Sequence, residues 1–77
     1  MGKRRYDAKK VSKALGVTVR KLRHERDLTL ERCEDLGFPS WRFLLQIESG
    51  DANVTIQTLV NLANLFGVHP TVLLEDI

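Results

Sequence analysis

The sequence predicts an all-α fold, a single compact domain of five helices with a helix-turn-helix at its centre. Three observations lead there. Apolar residues recur at steps of three and four through most of the chain, the spacing of one face of a 3.6-residue helix. Asp, Ser or Thr precedes four of these stretches, and Gly closes three of them, as helix caps require. No stretch alternates with period two, so nothing argues for a strand.

The first helix is expected over residues 8–26, where Val11, Leu15, Val19 and Leu22 form one apolar stripe and Asp7 supplies the N-cap. Gly16 inside it costs up to about 1 kcal/mol relative to Ala, which predicts that a neighbouring helix approaches closely there. Asp27-Leu28 breaks the pattern. Thr29 then caps a short helix over residues 30–36, and Gly37 ends it with the left-handed backbone that a helix C-terminus often needs. Phe38-Pro39 forms a turn, Ser40 caps the third helix over residues 41–49, and Gly50 terminates it. Two short helices joined by so tight a turn cross steeply. Asp51-Ala52-Asn53 reads as a surface loop. Thr55 caps a fourth helix closed by Gly67, with Ile56, Leu59, Val60, Ala63 and Phe66 expected inward and Gln57, Asn61 and Asn64 outward. Pro70 opens a fifth short helix, in which Val72, Leu73 and Leu74 add apolar cover.

Seventy-seven residues, 43% of them apolar, suffice for one domain over residues 1–77, since chains of this size bury only about 60% of their unfolded surface. So small a core leaves little room for the deep pocket that most enzymes use. No nucleophile and base, Gly-rich phosphate loop or carboxylate pair stands at a spacing that supports catalysis, so no enzyme activity is expected. The longest apolar stretch, residues 59–66, is interrupted by Asn61 and Asn64 and falls far short of the roughly 20 residues of a membrane helix. The basic start is not followed by an apolar run and does not read as a signal peptide. The expected compartment is the cytoplasm. Cys33 is the one cysteine, and with His24 and His69 it shows no metal-ligand spacing, so no metal or other cofactor is expected. It reads as a small buried apolar residue.

The net charge of +2 conceals a strong asymmetry. Residues 1–26 hold ten of the twelve Lys and Arg against Asp7 and Glu25, a net +8, while the remainder carries −6 and has no Lys or Arg after Arg42. The basic third, including an arm over residues 1–7, is suited to a polyanion. A solvated tail that aids solubility is the alternative.

In the third helix Leu44 and Ile47, three apart, point inward, which leaves Trp41, Arg42, Leu45 and Gln46 on the other side. Arg pairs bidentately with guanine, Gln with adenine, and an apolar surface meets the thymine methyl, so this face has the chemistry of a base reader. Two placements stay open for Trp41, on that face or in the core against Phe38. Arg42 suits a base edge or a phosphate equally.

From Ala14 to Leu74 the chain resembles the lambda-repressor-like (Xre/Cro) helix-turn-helix family. The matching residues are Leu15-Gly16, Leu22-Arg23, Leu28-Thr29, Glu31, Ser40, Leu44, Ile47-Glu48-Ser49-Gly50, Leu59, Leu62-Ala63 and Leu65-Phe66-Gly67-Val68. The resemblance implies a sequence-specific regulator of transcription, a repressor or autoregulator, that reads the major groove of double-stranded DNA with the third helix. It implies an internal ion pair between Arg23 and Glu48, a groove-facing set of Ser40, Trp41, Arg42, Leu45 and Gln46, and phosphate contacts from Thr29, Asn53 and Thr55. It also implies a homodimer on a palindromic operator, because one such helix reads too few base pairs. The last helix, with Leu73, Leu74 and Ile77, is the expected dimer surface. Glu31 and Asp35 match acidic positions that touch RNA polymerase in related activators. Three positions depart from the family: Leu30 replaces a phosphate-binding glutamine, Phe38 stands at the turn glycine with Gly37 one residue early, and Asp51 is acidic in a loop that is often basic. The competing class is a protein-interaction module of the same fold that docks on a toxin or on the transcription machinery; Arg42, Gln46 and a basic arm are not needed for that.

Overall fold

The computed structural model describes residues 6–75 and Ile77, so Lys3, Arg4 and Arg5 of the basic arm lie outside the described residues. Four α-helices, α1 (Ala8–Glu25), α2 (Leu30–Asp35), α3 (Trp41–Glu48) and α4 (Ile56–Phe66), are followed by a 3₁₀ helix over Pro70–Leu74. No strand occurs among the described residues. The expected fifth α-helix is therefore a 3₁₀ turn. Pro70 opens it and the Val72 N–H donates to the His69 carbonyl at 2.9 Å, the i to i+3 bond that suits a segment of only five residues.

Each helix starts on a side-chain acceptor. Backbone N–H groups of Lys10, Arg32, Phe43 and Thr58 donate to Asp7, Thr29, Ser40 and Thr55 at 2.8, 3.0, 3.3 and 3.1 Å, respectively. Each such cap satisfies one otherwise unpaired donor of the first turn and contributes about 1 kcal/mol. In the helix-turn-helix, Gly37 takes φ +114°, and the Phe38 N–H donates to the Cys33 carbonyl at 3.0 Å. The glycine turns the chain, and the next residue, Phe38, drops into the core at 3% exposure.

The core joins Leu15, Val19 and Leu22 of α1 to Cys33, Phe38, Leu44, Ile47, Ala52, Leu62, Ala63, Phe66 and Leu73. α1 packs against α3, α4 and the 3₁₀ helix, while α2 packs on α3. Burial raises the Cys33 thiol pKa, an effect that the nearby Arg23 charge opposes.

The face of α4 differs from expectation. Thr58, Leu62, Ala63 and Phe66 are buried and Leu59 partly so, whereas Ile56 is 76% exposed and Val60 38%. Seven of its eleven residues are apolar and lie all round the helix, so periodicity does not single out a face. Thr58 tolerates burial because its hydroxyl bonds that of Thr55 at 3.1 Å. Leu73 is fully buried, which removes it from any dimer surface, while Leu74 and Ile77 are exposed. Among the described residues no helix is long and apolar enough to cross a membrane.

Candidate nucleic-acid interface

The position of α3 is set from its C-terminal end. Gly16 of α1 is buried, and a Cβ there would collide with the Ile47 carbonyl oxygen and lie 2.7 Å from that of Glu48, so α3 rests on bare α1 backbone. About two helical turns further along α1, Arg23 holds Glu48 in a bidentate pair, Nε to Oε2 at 2.7 Å and Nη2 to Oε1 at 2.9 Å. The third arm of the guanidinium, Nη1, donates to the Leu28 carbonyl at 2.8 Å. One side chain thus ties α1, the loop leading to the Thr29 cap, and the end of α3. Both partners are largely buried, with side chains 12% and 5% exposed. The direct bond to Glu48 raises the Arg23 pKa above its ordinary value against the opposing effect of burial.

On the outward side of α3, Arg42 and Gln46 are exposed and Leu45 is 45% exposed, with Leu44 and Ile47 at the core. Arg42 and Gln46 stand one helical turn apart and share a face. Trp41 is half-buried and does not fill the core against Phe38. Phe43 takes that place, its ring stacked on Phe38 at 6.2 Å between centroids. The Trp41 ring instead lies under the Arg42 guanidinium, 5.3 Å from its carbon. The sequence marks Phe43 for this place only by its position immediately before Leu44.

Thr29, Ser40 and Thr55 are the N-caps of α2, α3 and α4. The Thr29 and Ser40 hydroxyls accept from the helix and keep their own proton to donate outward. Asn53 is exposed in the loop between α3 and α4, where it borders a cleft with Lys9, Ser12 and Asp51. Glu31, Glu34 and Asp35 are exposed on α2. Among the described residues no three His, Cys, Asp or Glu converge as metal ligands.

The basic third of the chain divides by role. Lys9, Lys10, Lys13, Arg20 and Lys21 are exposed on α1. Arg23 is spent on Glu48. Arg26 is also engaged internally: it donates to the carbonyls of Leu22 at 2.9 Å and Phe66 at 3.0 Å, and its guanidinium sits 5.6 Å over the Phe66 ring. It fastens the end of α1 to the end of α4. Nothing in the sequence separates Arg26 from its solvated neighbours, because its partner is a backbone carbonyl forty residues away.

No family model matches the chain, and no curated protein matches it at a significant level. Among solved structures it is similar to the crystal structure of the DNA-binding domain of BldD, with 32% identity, a TM-score of 0.78, and coverage of 86% of this chain and 96% of that one. The chain belongs to the same family of helix-turn-helix domains as the DNA-binding domain of BldD.

Proposed function

We propose that this protein is a sequence-specific double-stranded DNA-binding regulator of transcription, a repressor or autoregulator of the lambda-repressor-like (Xre/Cro) class, acting in the cytoplasm. The observation that carries the reading is the exposed face of Arg42, Leu45 and Gln46 on a firmly seated α3, in a domain 32% identical to one that is itself a DNA-binding domain. In this reading α3 enters the major groove, Arg42 and Gln46 meet base edges, and Leu45 meets a thymine methyl. Thr29, Ser40, Asn53 and Thr55 donate to phosphates and fix the register. The exposed lysines of α1 and the basic arm add salt-dependent affinity through counterion release.

The protein binds as a homodimer, with half-sites about 34 Å apart. Leu74 and Ile77, with Ile56 and Val60 on α4, offer the exposed apolar surface for it. Selection of bound duplexes from a random pool is expected to enrich a two-fold symmetric operator. Recovery without any common motif sinks the proposal in favour of the interaction module. On that operator Arg42→Ala is expected to cost about 1–3 kcal/mol and to relax preference at one position in each half-site, with little effect on random DNA. Equal losses on both duplexes mean that Arg42 only touches a phosphate.

A second role rests on the acidic face of α2. We propose that Glu31 and Asp35, exposed with Glu34, contact RNA polymerase, the alternative being a plain solvated helix face. Glu31→Lys combined with Asp35→Lys is expected to spare operator binding and repression in a reporter assay yet abolish activation. Loss of all three together speaks against a dedicated patch.

A further inference from the structure

Arg42 has no ion-pair or hydrogen-bond partner among the described residues; what holds it is the face of Trp41, with the guanidinium carbon 5.3 Å from the ring centroid. The indole is itself confined. It belongs to the first residue of α3, directly after the Ser40 cap, is half-buried, and the place against Phe38 is taken by Phe43.

We propose that Trp41 is a positioning residue for Arg42, holding the guanidinium plane ready before DNA arrives and so sharpening its choice of base. The inference rests on α3 being the base-reading helix. A guanidinium held over an indole is engaged through its charge and the ring's electron-rich face, so its in-plane N–H donors are not used up by the contact. Guanine O6 and N7 are approached edge-on, so the contact takes away none of the donors that bidentate pairing uses. Without the plate, Arg42 is a long exposed side chain with many rotamers, and ordering it at the moment of binding weakens the contact. An exposed cation–π contact corresponds to a factor of about two to five in an equilibrium constant, and that is the size of the expected effect.

Affinities for the duplex enriched from the random pool and for a scrambled duplex are compared at one salt concentration. The proteins are the unaltered chain, Trp41→Ala, Trp41→Phe, Arg42→Ala and the double variant. Trp41→Ala is expected to weaken the enriched duplex about two- to fivefold with little change on the scrambled one, and Trp41→Phe to retain most of the affinity. In the Arg42→Ala background the Trp41→Ala loss is expected to vanish. A loss of the same size with and without Arg42 overturns the inference, because Trp41 then meets DNA on its own account. Trp41 is the only tryptophan, so its emission in the free protein reports the contact directly. Arg42→Ala is expected to change that emission without moving the melting temperature, and unchanged emission also overturns the inference. Failure of the base-reading proposal looks different: Arg42→Ala alone then weakens both duplexes equally, whatever Trp41 does.

Discussion

Glu48→Ala is expected to destabilise the domain by about 3–5 kcal/mol, the usual consequence of stranding one partner of a buried pair. The loss is that large because Arg23 stays where it is. Its side chain is 12% exposed, and its charge keeps only the Leu28 carbonyl after the carboxylate is gone. For a domain of this size each 1 kcal/mol lowers the melting temperature by roughly 4–8 °C, so the variant is expected to melt more than about 10 °C early. Replacing both partners by apolar residues of similar volume, Arg23→Met with Glu48→Leu, is expected to restore much of the difference, since no charge is then left buried. Thermal unfolding followed by circular dichroism separates the cases. A Glu48→Ala protein that melts with the unaltered chain refutes a structural role for the pair.

Gly16→Ala is the second large effect. In an exposed helix this change stabilises by up to about 1 kcal/mol, because Ala costs less backbone entropy. Here the added methyl collides with the carbonyl oxygens of Ile47 and Glu48, both backbone atoms at the end of α3. Backbone cannot rotate away as a side-chain tip does. The clash is expected to overturn the propensity gain and leave the protein less stable by about 1–3 kcal/mol, with Gly16→Val worse. Urea unfolding measures it through the midpoint at constant slope. A midpoint that rises contradicts the close contact between the helices.

These contrasts explain what was readable in the sequence. Caps are local chemistry, so Asp7, Thr29, Ser40 and Thr55 announce the helix starts from single residues and their followers. Gly16 announces close packing because its cost inside a helix asks for a reason. α4 is less legible: with apolar residues on all sides, the buried face is chosen by what α1 and the 3₁₀ helix offer it, which is tertiary information. The same holds for Arg26, which is tied to α4 by the Phe66 carbonyl and ring rather than by a complementary charge there. In α3 the outward position of Arg42, Leu45 and Gln46 follows from period alone once Leu44 and Ile47 turn inward. The placement of Arg42 over Trp41 does not, because adjacent residues on a helix point about 100° apart, and only a long side chain folding back brings them together.

The seat of α3 makes the helix a lever. Its pivot is the end where Ile47 and Glu48 press on Gly16, while Trp41 and Arg42 ride at the tip, with the Phe38–Phe43 stack as lateral support. Eight residues span about 12 Å, so a tilt of roughly 15° at the pivot carries the tip about 3 Å, close to the roughly 3.4 Å between stacked base pairs. In the proposed complex, a small residue far from the groove therefore governs which base Arg42 meets. There, a substitution at position 16 that the fold survives is expected to alter operator preference more than affinity for bulk DNA.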